Sequence, residues 1–334
     1  MQTPQVSILM PVKNEALYLQ AALDSLYRQT FSNWELIAVD DGSTDETPHI
    51  LADAAAGDCR IRVVATSGGL VHALNTGLCE CHAPLVARMD GDDICHPLRL
   101  QRQADILNHN PDITLVACSC KHFPRKGLKQ GMLAYETWQN SLSSHSDIML
   151  DLFVESPFVH PSVMMRRQSL LDIGGYHNCG WPEDYDLWLR FAASGARFAR
   201  IPDALFFWRD HPERATRTMN EYSLNAFRAC KCEHLLRGFL KGISEVSIAG
   251  AGIEGRAWRR ILEERGIRVT SWLDVDPRKV GRLLHGAPVH PVSALPRIST
   301  RVVAAIGVRG ARTEFRTIAT DYGLVESQDY MCVS

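Results

Sequence analysis

The chain has 334 residues, 46% of them hydrophobic and 22% charged, with a formal net charge of -2. This is a globular profile with core enough for two domains. It excludes a membrane-spanning helix, because no apolar stretch approaches the roughly 18 residues one needs. No basic segment leads into an apolar run at the N-terminus, so no signal peptide is expected.

The first 110 residues alternate in period. VSILMPV (6–12) is a nearly continuous apolar run, as expected of a strand covered on both faces. From Glu15 to Gln29, Leu17, Ala21, Leu23 and Leu26 fall near helical spacing. WELIAVDDGS reads as a second strand running into a polar loop, and STDETPHILADAA as a helix opened by a Ser/Thr-x-x-Glu-like cap. RIRVVAT, GGLVHALNTGLCEC and PLVARMD continue as strand, helix and strand. The order βαβαβαβ implies a parallel sheet with helices on both faces. In such sheets ligands bind at the carboxyl ends of the strands. Asn14-Glu15, Asp40-Asp41 and Asp90-Asp92-Asp93 all fall at such ends.

From 111 to 222 the pattern is less regular. FVHPSVMMRRQSLLDIGGY reads as loop, strand and a helix closed by a Gly-Gly turn. EDYDLWLRFAASG is an amphipathic helix with Leu187, Trp188, Phe191 and Ala192 on one side and Gly195 as its stop. Residues 223–241 read as a basic connecting helix. A second α/β pattern follows. Gly250, Gly252 and Gly255 form a G-x-G-x-x-G between a strand and a helix, and Asp274 closes the next strand. The expected domains are therefore 1–222, a linker helix over 223–241, and 242–334.

Charge divides along the same line. Residues 1–222 hold 19 Lys and Arg against 27 Asp and Glu, and residues 223–334 hold 17 against 11. An acidic half that holds a divalent cation and a basic half that meets phosphate or an anionic surface would fit, as would two solvated surfaces of different tint. The ten cysteines form three C-x-C pairs and no C-x-x-C. Reduced, mostly buried thiols are expected, and no structural zinc.

Asp90-Gly91-Asp92-Asp93 crowds three carboxylates at the end of an apolar strand. Such crowding is unfavourable unless a cation sits among them. Mn²⁺ or Mg²⁺ suits carboxylates together with a substrate diphosphate. The alternative reading is that Asp92 or Asp93 caps a following helix. At Asp40-Asp41-Gly42-Ser43 a carboxylate could accept from a base or ribose, or Ser43 or Asp45 could cap. Glu15 could equally be a favourable first-turn charge.

The segments VSILMPVKNE, WELIAVDDGSTDET, ALNTGL, PLVARMDGDDICHPLRLQRQ, FVHPSVMMRRQSLLDIGGY, EDYDLWLRFAASG and FFWRDHPERAT occur in order over residues 5–217. Together they resemble the family 2 glycosyltransferases. The resemblance implies an α/β chain with the GT-A nucleotide-diphospho-sugar transferase fold. It implies an inverting, metal-dependent transfer from a UDP-sugar to a glycan or lipid-linked acceptor, in bacterial surface polysaccharide synthesis. On it, Pro11, Asn14, Glu15 and Asp41 would line the uridine pocket, with Asp40 close by. Asp90 and Asp92 would hold Mn²⁺ or Mg²⁺ as the DxD motif, with His211 near the metal. Arg88 would face the sugar or diphosphate, and Arg209 or Arg214 could touch phosphate. Asp184 would be the general base, with Glu183 the neighbouring alternative. His160, Trp181 and Arg209 would meet donor sugar and acceptor. Without the resemblance, His160 reads as a core or loop histidine. The acceptor-side Y-R-x-H of the family is WRDH here. The QxxRW motif of processive synthases is absent, which implies addition of one sugar or a few.

Residues 242–325 resemble the small Rossmann-like domain of bacterial sugar acyltransferases and of oxidoreductase-like proteins. That resemblance implies nucleotide binding, acceptor positioning or oligomerisation. An NAD(P) site at Gly250, Gly252, Gly255 and Asp274 is the minor alternative, as are an inactive nucleotide sensor and a bifunctional enzyme with an NAD-dependent second domain. A cytoplasmic protein with no nucleic-acid partner is expected. Peripheral membrane association and a homo-oligomer stay open.

Overall fold

The computed structural model describes residues 3–308 and 310–334. The chain divides into two compact units. The first comprises residues up to Met149, Pro157–Cys179 and Glu183–Met219, and the second Leu150–Ser156, Gly180–Pro182 and Asn220–Ser334.

The first unit is built on an eight-stranded sheet. Its strands are β1 (Val6–Val12), β2 (Trp34–Asp40), β3 (Ile61–Ala65), β4 (Leu85–Arg88), β5 (Ile94–Cys95), β6 (Ile113–Phe123), β7 (Val163–Arg166) and β8 (Arg197–Arg209). They lie in the order β3-β2-β1-β4-β7-β6-β8-β5. Strands β3, β2, β1 and β4 run parallel, as the alternating pattern predicts. Every residue of β1 and β2 is buried, so both read as unbroken apolar runs. Beyond β4 the sheet turns mixed, because β7 is antiparallel to both β4 and β6. The helices Leu19–Tyr27, Leu70–Glu80 and Arg99–His109 cover it.

Three local readings need correction. The first helix begins at Leu19, not Glu15, and Leu17 is 81% exposed instead of facing the core. The second begins at Thr47, and Ser43 does not cap it. The helix after the carboxylate cluster begins at Arg99, so neither Asp92 nor Asp93 caps it. In all three places side chains and amides that could have capped helices are spent on the sheet's carboxyl edge.

The helix Glu183–Ala193 forms as the pattern predicts. Acidic residues fill its first turn, where the helix dipole favours them. Leu187, Trp188 and Phe191 are buried. It stops at Gly195, whose φ of +81° is the left-handed backbone that favours glycine.

The second unit has strands β9 (Glu245–Ala249), β10 (Arg268–Asp274), β11 (Leu283–Leu284), β12 (Ala287–Pro291), β13 (Arg301–Ala304) and β14 (Tyr330–Cys332). Their order is β11-β12-β10-β9-β13-β14, parallel except for the β11–β12 pair. Trp258 and Trp272 anchor its core. The helix Leu224–Arg237 belongs to this unit, and Lys231 on it is buried, donating to the carbonyls of Val154 (2.6 Å) and Val333 (3.0 Å). All ten cysteines are free thiols and seven are buried.

Candidate active site

Parallel register brings the carboxyl ends of β1, β2 and β4 together. Val12 pairs with Asp40, and Leu9 with Arg88. The loop after β1 is then locked to the loop after β2. Asn14 stands at φ +56°, a left-handed conformation that asparagine tolerates better than most residues. Its side-chain oxygen accepts from the amide of Thr44 (2.8 Å), and its own amide donates to the Ser43 hydroxyl (2.9 Å). The amides of Glu15 and Ala16 donate to Thr47 Oγ1 and Asp45 Oδ2. Those bonds explain why no helix starts at Glu15.

The pocket carboxylates are themselves held. Asp40 accepts from the amide of Ser43 (3.0 Å), and Asp41 from the amide of Gly69 (3.0 Å). Lys13 approaches Asp41 to 3.5 Å. Pro11 is buried within β1.

Beyond β4, one carboxylate oxygen each from Asp90, Asp92 and Asp93 lies within 4.8 Å of the other two. Asp93 is fully buried; one oxygen accepts from the amide of Arg209 (2.6 Å), and the other has no hydrogen-bond partner among the described residues. His211 Nε2 is 2.8 Å from Asp92 Oδ2. Arg209 donates through Nε to the Asp92 carbonyl (2.5 Å), and its guanidinium lies 4.5 Å over the rings of both Tyr18 and Phe123. Arg88 is 2% exposed and meets Asp90 at 2.6 Å. Burial would lower its pKa, but the Asp90 carboxylate outweighs that and holds it above the usual value. Gly91 makes the turn possible, since a Cβ there would sit 2.7 Å from Val12 Cγ1.

Electrostatics across this edge are strained toward negative charge. Burial, then the charges of Asp92 and Asp90, push the Glu15 carboxyl up to about 8. Burial and Asp90 raise Asp92, and burial, Asp92 and Asp90 raise Asp93 well above the carboxylate range. Carboxylate oxygens beside an imidazole nitrogen form a donor set that suits Mn²⁺ or Mg²⁺. A divalent cation there would relieve the repulsion that these shifts express.

A second group of side chains converges from the short 3-10 turn His160–Ser162 that leads into β7, the helix Glu183–Ala193 and the segment after the Gly174-Gly175 turn. His160 Nδ1 lies 3.3 Å from Glu183 Oε1, and its Nε2 lies 3.1 Å from the Tyr176 hydroxyl. Burial and the Arg88 charge lower the His160 pKa, which favours the neutral ring. The Tyr176 backbone is clamped in turn by Asn75, which donates to its carbonyl and accepts from its amide. Asp184 is half-buried, and one oxygen accepts from the Tyr185 amide (2.7 Å). Burial and the Glu183 charge raise its carboxyl well above the usual range.

The structure thus gathers Asn14, Glu15, Asp40, Asp41, Arg88, Asp90, Asp92, Arg209 and His211 along one edge. Arg214 is buried with its guanidinium 4.0 Å over the Trp208 ring. Trp181 lies in the Gly180–Pro182 segment, which groups with the second unit. Gly250, Gly252, Gly255 and Asp274 also lie in that unit: Gly250 and Gly252 in the turn after β9, Gly255 in the first turn of the helix Ile253–Glu264, and Asp274 at the end of β10. Sequence reasoning missed Tyr18, whose ring centroid is 5.1 Å from that of His211, and Tyr176. A helical reading of 15–29 hides Tyr18. Only its spacing of four from Asn14 hints at a shared loop.

The family described as "Glycosyl transferase family 2" matches residues 7–174. The chain is 32% identical to the amylovoran biosynthesis glycosyltransferase AmsE of Erwinia amylovora, over 56% of this chain and 68% of that protein. It is 30% identical to the UDP-Gal:alpha-D-GlcNAc-diphosphoundecaprenol beta-1,3-galactosyltransferase of Escherichia coli, over 68% of this chain and 82% of that one. Among solved structures, S. aureus TarS 1–349 in complex with UDP-GlcNAc superposes with a TM-score of 0.54 at 18% identity, covering 70% of this chain. The match spans 66% of that structure, just under two thirds, and at that identity it speaks for the fold alone. The chain belongs to the family 2 glycosyltransferases, with a GT-A first unit and a second sheet domain after it.

Proposed function

We propose that the first unit is an inverting, metal-dependent transferase that moves a sugar from a UDP-sugar to a hydroxyl of a glycan or lipid-linked acceptor. The carrying observation is the carboxylate cluster of Asp90, Asp92 and Asp93 at the end of β4, with His211 against Asp92 and Glu15 pushed up beside it. Asp90, Asp92 and His211 would hold Mn²⁺ or Mg²⁺. The ion would offset charge on the donor diphosphate as the nucleotide leaves.

The chain's own residues do the rest. The locked loops of Asn14, Glu15, Asp40 and Asp41, with Pro11 beneath, hold the uridine. Arg209, braced by two rings, meets phosphate, with Arg214 behind it. Arg88 fixes Asp90. Asp184 takes the proton from the acceptor hydroxyl as its oxygen bonds the anomeric carbon. The bond from that carbon to the diphosphate breaks, and the electron pair leaves with UDP. Attack opposite the leaving group inverts the centre. Burial and the Glu183 charge raise the Asp184 carboxyl, which makes its carboxylate a stronger base than that of an ordinary aspartate. His160, held by Glu183 and Tyr176, contacts the sugars.

We take residues 1–222 as the catalytic domain, 223–241 as a connecting helix and 242–334 as a Rossmann-like domain akin to that of sugar acyltransferases. The setting is bacterial surface-glycan assembly in the cytoplasm, at the inner face of the membrane where the acceptor is lipid-linked. Among the described residues no helix is long and apolar enough to cross a membrane.

The test is UDP release from a panel of UDP-sugars with Mn²⁺, beside EDTA and the Asp92→Ala variant, with GDP-mannose as a non-uridine donor. Metal-dependent release from one UDP-sugar, lost in the variant, is expected. Release unaffected by EDTA, or from GDP-mannose alone, overturns the reading.

A further inference from the structure

The hydrophobic core of the first unit makes no use of the Tyr18 ring. Tyr18 stands at the N-cap position of the helix Leu19–Tyr27, just after the locked loop of Asn14 and Glu15. Leu19, Ala22, Leu23 and Leu26 of that helix enter the core, whereas Tyr18 stays outside it and half-buried. Its amide donates to the Glu15 carbonyl (2.9 Å), and its own carbonyl accepts from the amides of Ala21 (3.0 Å) and Ala22 (3.2 Å), so the backbone fixes where the ring starts. The Tyr18 hydroxyl has no hydrogen-bond partner among the described residues. Whatever the side chain does, the face of the ring does it.

That ring meets a cation and an imidazole. The Arg209 guanidinium lies 4.5 Å over it, and the His211 ring centroid is 5.1 Å away at a tilt of 49°. Both partners come from the end of β8 and the loop after it. Arg209 also lies 4.5 Å over the ring of Phe123, which the β6–β8 register sets opposite it. The sheet therefore supplies one ring, and the loop after β1 supplies the other.

The acidic edge makes such a support necessary. An arginine beside Asp90, Asp92 and Asp93 would ordinarily pair with a carboxylate and be neutralised by it. Arg209 instead donates through Nε to the Asp92 carbonyl, and among the described residues it forms no ion pair and its terminal nitrogens have no partner. A ring face holds a guanidinium through its quadrupole and leaves the charge intact. The positive charge stays available for an anion. His211 lacks a different support. A histidine that ligates a metal is ordinarily oriented by a hydrogen bond from its other ring nitrogen. His211 Nε2 faces Asp92, and its Nδ1 has no hydrogen-bond partner among the described residues. The Tyr18 ring packs on the imidazole in place of that bond.

We propose, on the metal-dependent transfer inferred above, that Tyr18 is a positioning residue for the reaction. Its ring holds Arg209 unpaired for the donor diphosphate and sets the angle of His211 for the metal ion. One side chain thereby joins the loop that takes the uridine to the loop that meets the diphosphate.

The test compares the full chain with Tyr18→Phe, which keeps the ring, and with Tyr18→Leu and Tyr18→Met, which remove it. Mn²⁺ uptake is read as loss of the free-ion paramagnetic resonance signal with UDP present, against a protein-free blank of the same composition. UDP affinity is read by calorimetry at saturating Mn²⁺. Losing the ring should weaken Mn²⁺ about tenfold. It should weaken UDP about 3- to 30-fold, and Tyr18→Phe should restore both affinities. In a His211→Ala background, Tyr18→Leu should cost no further Mn²⁺ affinity, because the two changes act on one contact. Affinities indifferent to loss of the ring overturn the proposal, as does a loss that Tyr18→Phe reproduces or that persists in full without His211. A parent chain that takes up no Mn²⁺ overturns the metal reading and the role of Tyr18 together, whereas a parent that binds Mn²⁺ as tightly as its ring-less variants overturns the role of Tyr18 alone.

Discussion

The imidazole of His211 lies 2.8 Å from a carboxylate oxygen of Asp92, across 119 residues of sequence. The loop after β8 is thereby fixed to the turn after β4, and Arg209 and Asp93 repeat the link from amide to carboxylate. In the proposed reaction this contact positions a metal ligand. His211→Ala should then raise the Mn²⁺ concentration needed for half-maximal UDP release by about 10- to 100-fold, with little change at saturating metal. Asp92→Ala should cost about 100-fold or more even at saturating metal. A His211→Ala enzyme with an unshifted Mn²⁺ titration would remove His211 from the site.

Gly91 separates the carboxylates because nothing larger fits. A Cβ would lie 2.7 Å from Val12 Cγ1 and 3.3 Å from Glu15 Cγ. Both neighbours are anchored, Val12 in the buried β1 and Glu15 by its amide bond to Thr47. Gly91→Ala should therefore destabilise by about 1–3 kcal/mol, as overpacking does. Denaturant melts of the two proteins measure it. A stability change near zero would mean the loop after β1 yields, and activity would then be the informative readout.

The parallel half of the first sheet was legible because β1 and β2 are buried on both faces and spell unbroken apolar runs. The carboxylate cluster was legible because crowded aspartates are costly without a purpose. The starts of the helices were not. Asn14, Ser43, Asp45 and Thr47 have the chemistry of caps, and sequence spacing cannot tell a cap from a bond to another loop. Tyr18 and Tyr176 escaped for a related reason, since their roles depend on His211 and His160, each distant in the chain or masked by a turn.

Glu15 gives the metal-free protein a pH signature. Its folded pKa is raised to about 8 from 4.5, by burial and then by Asp92 and Asp90. A raised carboxyl favours folding fully below the unfolded pKa. As pH climbs from about 4.5 to about 8 the unfolded chain releases the proton first, so stability falls across that window. Melting in EDTA should show Tm declining over this range, and Glu15→Gln should flatten the decline. Mn²⁺ should raise Tm most at the alkaline end. An identical slope in Glu15→Gln would assign the pH dependence to other groups.

Asp184 and Glu183 are adjacent carboxylates with different partners, and this separates their roles. Glu183 is buried against His160 at 3.3 Å, whereas Asp184 is half-buried and accepts from the neighbouring Tyr185 amide. Burial and the Glu183 charge hold Asp184 partly protonated at pH values where an ordinary aspartate is fully ionised. As the general base it must be ionised, so the rate should climb with pH along a limb lying above the usual carboxylate range. Asp184→Asn should lower kcat by about 100- to 10,000-fold and abolish that limb, leaving donor affinity unchanged. Glu183→Gln keeps a hydrogen-bonding group toward His160 but removes the charge that raises Asp184. The limb should therefore move to lower pH while substantial turnover remains. Near-normal turnover in Asp184→Asn, with loss of activity in Glu183→Gln, would exchange the two assignments.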